Sequence, residues 1–517
     1  MPEETTNGCH CDNGKVGPSR REAELEYYAE MRRSCKAAVD KAVEYLESIE
    51  SYRPFPLVEP GFLIPQLPRD PPEEGVPMET IFSDVDKYLL PGVTHWNHPH
   101  FHAYFPMANS YPAVCADIIG SEIGGVGFTW AASPISTELE VIMMDWLVKM
   151  LGLPDFFLYN RAGGGGVIGT TCSEQTIVTM MAARNKAIDK YVSQHTGATK
   201  FEAMSKLICY TSSQAHSSVE RAALLNLLPI RSLPVNEKYE LTGEILEKAV
   251  KEDISNGLVP FYCVATLGTT GCCSFDCLDE IGPVCEKFDI WLHVDAAYAG
   301  SAFICPEFRP YLKGVEVVYP DSLFLCIFNQ KDQQLIHMYK DAKSVTRAFS
   351  TDAEYLKYSE SGKMPDHRNW NLSFGKRFRS LKLWFVIRRF GIHGLQEYIR
   401  QHVRMAKYLE SIIREDPRFQ IIGEVTLGLV CFRIKDNNEL TKFLHKRIEQ
   451  DGRIHVVTDK VVTASNEEMF YIRIAIVYLF TDEDICRYAY KVISEITTQL
   501  LATELHKSPN TQAISSN

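Results

Sequence analysis

The stretch Trp291-Leu-His-Val-Asp-Ala-Ala-Tyr-Ala-Gly-Ser-Ala302 constrains the fold more than any other. Ile290, Leu292 and Val294 make a short apolar, partly β-branched run, the pattern of a buried strand. The run ends on a carboxylate, Asp295, followed by small residues. A buried carboxylate is costly unless something pairs with it. In an open α/β sheet, ligands bind outside the carboxyl ends of the strands. Asp295 therefore asks for a cationic partner, and a protonated ring nitrogen of a bound ligand would serve. The same pattern also suits an Asp that simply ends a strand or caps the next helix. Leu207-Ile-Cys-Tyr-Thr211 and Phe261-Tyr-Cys-Val-Ala-Thr-Leu-Gly-Thr-Thr270 repeat the strand pattern, with helical stretches between. Alternating strands and helices predict an α/β fold with a largely parallel sheet.

The chain has 517 residues, enough for two or three domains. A net charge of -12 disfavours a general binder of nucleic acid or anionic membrane, since phosphate contact wants a basic surface. Residues 2–21 are polar, so no secretory signal is expected, and no apolar run is long enough for a bilayer. The 15 cysteines are scattered. Cys9-His10-Cys11 and Cys272-Cys273 lack the paired spacing of a zinc site, so no metal is expected, and the thiols read as reduced in a cytoplasmic protein.

Residues 1–20 read as a disordered tail. Helical periodicity over 22–50 is followed by a connector rich in proline from Pro54 to Pro72. Such an arm must bury its apolar face somewhere, and a partner subunit is one answer. Thr94 to Pro106 is dense in rings and histidines, as suits either an aromatic ligand pocket or a packed loop. A helix is predicted over 136–151. Gly163-Gly-Gly-Gly-Val-Ile-Gly-Thr-Thr-Cys-Ser-Glu174 then leads into helical 176–187, and glycines followed by hydroxyls and a helix make a plausible phosphate cradle. Residues 395–500 form a smaller α/β unit, with strands expected at 427–433, 454–457 and 469–475.

Taken together, Gly92-Val-Thr-His-Trp96, His98-Pro-His-Phe-His-Ala-Tyr-Phe-Pro106, Thr137-Glu-Leu-Glu140, Gln214-Ala-His-Ser-Ser-Val-Glu-Arg221, Ala265-Thr-Leu-Gly-Thr-Thr270, His293-Val-Asp-Ala-Ala-Tyr-Ala-Gly300 and Arg377-Phe-Arg-Ser-Leu-Lys382 resemble the group II pyridoxal-phosphate-dependent decarboxylases, above all those acting on aromatic L-amino acids. The resemblance implies the aspartate-aminotransferase-like fold (fold type I), with a large sheet domain and a smaller C-terminal α/β domain. It implies a tail over 1–20, a helical arm over 21–108 packing on the partner of a homodimer, a cofactor domain over 109–390, a small domain over 391–500 and a loose tail over 501–517. It also implies decarboxylation of aromatic L-amino acids to amines with pyridoxal 5'-phosphate, as in biogenic amine (catecholamine) biosynthesis.

Carried over residue by residue, Asp295 resembles the partner of the pyridine nitrogen, Ala297 the residue beneath the ring, and His216 the imidazole stacked on it. Thr270 resembles the threonine beside that aspartate. Thr171, Cys172 and Ser173 stand where the family more often has Ser-Ala-Ser at the phosphate. Tyr355 matches the loop tyrosine that returns a proton after CO2 leaves. Trp96, Tyr104, Phe105 and Pro106 match the substrate-ring pocket, with Met107 in place of the usual threonine. In the family, His216 favours decarboxylation over oxidative deamination, and Gly375 favours a larger aromatic substrate over histidine.

One segment departs from the family. The cofactor-binding lysine belongs in Asn-Pro-His-Lys-Trp, shortly after Asp-Ser. Here the matching region reads Asp321-Ser-Leu-Phe-Leu-Cys-Ile-Phe-Asn-Gln-Lys331. Counting from the two flanks places the lysine position at Ile327 or Cys326, and neither carries an amine. Lys331 comes next, four or five residues on, roughly 13–18 Å of extended chain. Three readings follow. Lys331 is brought into place by a rearranged loop; the chain is a noncatalytic dimer or binding module on the decarboxylase fold; or the segment between two matching flanks is a mis-joined piece of coding sequence.

Overall fold

The computed structural model describes residues 19–105, 110–159, 163–316, 324–329, 334–350, 363–462 and 467–507, without the side chains of 324–329, 334–335 and 504–507. The chain forms two compact units, Met1–His98 and Pro99–Asn517.

In the first unit, helix α1 (Arg20–Glu47) starts in a capping box: the Ser19 side chain accepts from the Glu22 amide, and Glu22 accepts in turn from the Ser19 amide at 2.8 Å. No residue of α1 is buried in this chain. Its apolar positions Leu25, Tyr28, Val39 and Leu46 are about half exposed. The short α2 (Met78–Asp84) follows the proline-rich connector.

The second unit opens with α3 (Tyr111–Ile123) and α4 (Pro134–Leu151). Seven strands follow: β1 (Gly165–Gly169), β2 (Leu207–Ser212), β3 (Ile230–Leu233), β4 (Val259–Thr266), β5 (Trp291–Ala296), β6 (Phe324–Asn329) and β7 (Gln334–Tyr339). They form one sheet in the order β1-β7-β6-β5-β4-β2-β3. Strands β2 to β6 pair in parallel, and β7 runs antiparallel to both β1 and β6. Parallel neighbours need crossovers, and α7 (Ser218–Leu225), α8 (Gly243–Ser255) and α9 (Leu278–Phe288) lie on those among β2, β3, β4 and β5, while α5 (Cys172–Gln194) and α6 (Lys200–Lys206) lead from β1 to β2, which are not neighbours. Helices on both faces leave β2 and β5 buried along their whole length, which is why these strands read as nearly continuous apolar runs.

After α10 (Lys343–Phe349), the long α11 (Arg379–Glu415) breaks at Gly391, whose φ of 64° is costly for any residue with a side chain. A second sheet contains β8 (Phe419–Ile421), β9 (Leu429–Ile434), β10 (Val457–Val462) and β11 (Glu468–Ala475), antiparallel throughout in the order β10-β11-β9-β8. Helices α12 (Asn438–Asp451) and α13 (Glu483–Lys507) complete it. Among the described residues, no helix is long and apolar enough to cross a membrane.

Two local expectations differ from the structure. Most of the glycine-rich run, expected as part of a phosphate cradle, is instead the buried strand β1. Its glycines admit a close neighbour: a Cβ on Gly166 would meet the His337 carbonyl of β7 at 2.9 Å, and one on Gly169 would meet Gln175 Nε2 at 2.7 Å. The strand expected at 454–457 begins only at Val457. Before it, His455 is drawn to an earlier segment: its carbonyl accepts from the His102 amide at 2.8 Å and its amide donates to the His100 carbonyl at 3.0 Å.

Candidate active site

Parallel strands present their carboxyl ends along one edge of the sheet, and the predicted site residues follow those ends. Strand β2 ends at Ser212, four residues before His216. Strand β4 ends at Thr266, four before Thr270. Strand β5 carries Asp295 one residue from its end, with Ala297 just beyond, and β1 ends two residues before Thr171. The register places Thr266 opposite Asp295.

Asp295 is only 5% exposed. Its Oδ1 accepts the Ala297 amide at 3.0 Å. Burial pushes its carboxyl above the ordinary aspartate range, while the Ala297 amide and the His216 imidazole pull it partly back. Among the described residues, no lysine or arginine forms an ion pair with it. His216 is itself exposed, and its Nδ1 accepts the Ser218 amide at 3.2 Å, with Ser218 Oγ at 2.9 Å. That arrangement anchors the ring through one nitrogen at the mouth of the edge.

Thr171 is the N-cap of α5, accepting the Glu174 amide at 3.0 Å. Cys172 and Ser173 open the first turn of this 23-residue helix, whose dipole favours an anion at that end. Thr270 is half-buried. The Phe105 ring stacks on Tyr298 at 4.0 Å between centroids. Tyr104 is 47% exposed with φ at 54°, a backbone strain of the kind that collects at binding sites. Gly375 is exposed, and among the described residues Val126 Cγ1, at 3.6 Å, is what a Cβ there would meet. Trp96 belongs to the first unit and is 44% exposed. Pro106, Met107, Lys331 and Tyr355 lie outside the described residues.

Two buried groups escaped the sequence reading. Arg473 on β11 lies with its guanidinium 5.1 Å from the Phe105 ring centre. Its Nε donates to the Gly271 carbonyl at 3.0 Å, and its Nη2 is buried without a hydrogen-bond partner among the described residues. The available signal was an arginine inside the apolar run Met469-Phe-Tyr-Ile-Arg-Ile-Ala475. The second is Glu140 on α4, fully buried, ion-paired with buried Lys376 and accepting the Ile168 amide at 2.8 Å. Burial alone would raise Glu140, but the charge of Lys376 holds it below the ordinary range.

The donor set fits the noncovalent demands of pyridoxal phosphate: a buried carboxylate short of a cation, an imidazole beside it, and a helix N-terminus on the same edge. The covalent demand is different. The register of β5 on β6 sets Cys326 opposite Asp295 and Ile327 opposite Ala296, so the two positions counted from the sequence stand beside the site. The sequence of β6, Phe-Leu-Cys-Ile-Phe-Asn, contains no amine.

A parallel sheet with one reversed strand, a smaller antiparallel domain after it and this edge define the fold type I class of pyridoxal-phosphate proteins. Residues 60–435 match the pyridoxal-dependent decarboxylase conserved domain, and the chain belongs to that family. An aromatic-L-amino-acid decarboxylase of Manduca sexta is 46% identical over 467 residues, covering 89% of this chain and 90% of its own. The Oryza sativa TDC solved with PLP and tryptamine aligns with a TM-score of 0.85 at 36% identity, over 91% of this chain and 98% of that one. A 4-hydroxyphenylacetaldehyde synthase of Rhodiola rosea aligns at 0.82 and 33% identity, over the same shares of the two chains. These likenesses give no support to the noncatalytic alternative.

Proposed function

We propose that this protein decarboxylates aromatic L-amino acids to the corresponding amines with pyridoxal 5'-phosphate. The observation that carries the reading is Asp295: a buried carboxylate at the carboxyl edge of a parallel sheet, raised by burial and short of a cation. Bound pyridoxal phosphate supplies a protonated pyridine ring that takes up the electron pair left when CO2 departs. Asp295 would hold the proton on the ring nitrogen, Ala297 would lie beneath the ring and His216 above it. Thr270 would flank Asp295. The amides of the first turn of α5, with Thr171, Cys172 and Ser173, would hold the phosphate. Trp96, Tyr104, Phe105, Pro106 and Gly375 would receive the aromatic ring, and Tyr355 would return the proton. Lys331 is the amine assigned to the covalent link.

We further propose a cytoplasmic homodimer in which the arm 21–108 packs on the partner; the exposed apolar positions of α1 support this. The cofactor domain is 109–390, the small domain 391–500, and the tails 1–20 and 501–517. The product class places the enzyme in biogenic amine formation.

The test is CO2 release from L-DOPA, 5-hydroxytryptophan, tryptophan and histidine by protein saturated with pyridoxal phosphate. Borohydride reduction and peptide mass spectrometry accompany it. Release from the aromatic substrates with a pyridoxyl adduct on Lys331 supports the full assignment. Turnover without that adduct removes Lys331 from the site. Tight cofactor binding without turnover or adduct overturns the decarboxylase reading for this chain.

A further inference from the structure

Strand β4 runs into a hairpin whose tip carries Thr270 and Gly271. The base of the hairpin is bonded to itself. The Gly268 and Thr269 amides both donate to the Ser274 carbonyl at 2.9 Å, and Leu267 bridges to Phe275. The tip is held from elsewhere. Gly271 is buried, and its carbonyl accepts from Arg473 Nε of β11 at 3.0 Å and from Cys431 Sγ of β9 at 3.4 Å. Arg473 and Cys431 are register partners, so the second sheet grips one carbonyl from two adjacent strands.

The grip requires a bare Cα. A Cβ on Gly271 would meet Tyr471 Oη at 2.9 Å and Asp459 Oδ2 at 3.1 Å, with Gln214 Oε1 at 3.5 Å. Tyr471 and Asp459 lie directly opposite each other on β11 and β10. The φ of Gly271 is not in the left-handed region, so its backbone suits other residues and the demand is for space. Two of the three neighbours are able to give way, because Asp459 and Gln214 are half-buried side chains with free ends. Tyr471 is not: its ring is fully buried, in the core that joins the two sheets. Its Oη has no hydrogen-bond partner among the described residues. An unsatisfied buried hydroxyl costs stability, so phenylalanine would serve packing at least as well.

Parts of the site meet at this contact. Thr270 adjoins Gly271, Gln214 precedes His216 by two residues, and the guanidinium of Arg473 lies 5.1 Å from the Phe105 ring centre. We propose that Gly271 is a positioning residue for the reaction: its missing side chain lets the second sheet seat the hairpin tip, which fixes Thr270 beside Asp295 and packs it against the turn leading to His216. The roles of Thr270 and His216 rest on the decarboxylase reading; the seating of the tip does not.

The test compares Gly271→Ala, Tyr471→Phe and the double variant as full chains, by two measurements that need no turnover. Amide hydrogen exchange of residues 267–275 without cofactor reads how firmly the tip is held. Absorbance titration reads affinity for pyridoxal phosphate and for pyridoxal. Gly271→Ala is expected to speed exchange at the tip and to weaken both ligands by the same factor, about threefold to tenfold, the scale of one hydrogen bond. The factor is shared because the ring end is disturbed and the phosphate end is not. The double variant, with room for the new methyl, is expected to recover both readings, and Tyr471→Phe alone to hold or raise the unfolding midpoint. Cys431→Ala removes one donor to the Gly271 carbonyl; it should act in the same direction and keeps the test valid if Gly271→Ala fails to fold. Unchanged exchange, unchanged affinity as for a merely structural glycine, or a loss that Tyr471→Phe does not relieve overturns the proposal. Wild-type protein that binds no pyridoxal phosphate overturns the decarboxylase reading instead, and the exchange result then decides the seating of the tip by itself.

Discussion

Two buried carboxylates stand in the same compact unit and are treated in opposite ways. Glu140 on α4 is matched by Lys376 and by the Ile168 amide, and its carboxyl is held low. Asp295 on β5 has one amide and a nearby imidazole, and its carboxyl is pushed up. Both were taken out of water at similar cost. In the first case the chain supplies the compensating cation itself. In the second it leaves most of the compensation to something that binds. A buried charge already paired is part of the scaffold; one left short of a partner on a ligand edge marks a site.

The sharpest way to break this contrast is Lys376→Met. It strands Glu140 in the interior and should lower unfolding stability by about 3–5 kcal/mol, read by chemical denaturation. The double variant Glu140→Leu/Lys376→Met removes both charges and should recover most of that loss; no recovery would mean the pair has a role beyond mutual neutralisation. Asp295→Asn should do the reverse. Stability without cofactor holds or rises, whereas affinity for pyridoxal phosphate falls roughly 10- to 1,000-fold, the scale of losing one to three pK units of charge pairing, read by absorbance titration. A fall in stability comparable to that of Lys376→Met would place Asp295 with the scaffold.

The pair also predicts opposite slopes with pH. Asp295 is raised in the folded state, so its contribution is most favourable below the unfolded value of about 4 and is lost as pH rises through its folded pKa. Asp276 behaves likewise, because burial lifts it to about 7 although the Thr266 and Leu241 amides pull it down. Glu140 is depressed, so its contribution is present above about 4.3 and is lost as pH falls through its folded pKa. Wild-type protein minus Asp295→Asn, both without cofactor and followed by denaturation across pH, should therefore show stability decreasing as pH rises from about 4, and saturating cofactor should weaken that trend. The smallest effect belongs to the helix cap. Thr171→Ala should cost about 1 kcal/mol and weaken phosphate-dependent binding, while pyridoxal without phosphate is barely affected.

The sequence by itself determined where the central strands of the large sheet lie, though not their precise ends. Leu207–Ser212, Val259–Thr266 and Trp291–Ala296 are apolar because both faces of a parallel sheet are covered, and each run is followed by the small or polar residues of a ligand edge. Asp295 was singled out by that pattern, whereas His216, Thr270 and Thr171 came from the resemblance; the structure sets all four in or just after a strand end. The motifs also fixed the family, and counting along the chain found the two positions where the amine is missing. Tertiary structure alone decided what lay far apart in sequence. The reversed strand β7 inserts between β1 and β6, so that most of the glycine run expected as a phosphate cradle is a buried strand. Glu140 met Lys376 across 236 residues, and Arg473 reached Phe105 from the other sheet. The register of β6 against β5 set Cys326 beside Asp295. Periodicity reports which face of an element is buried. Which charge finds which partner depends on how the elements pack, and no local pattern encodes that.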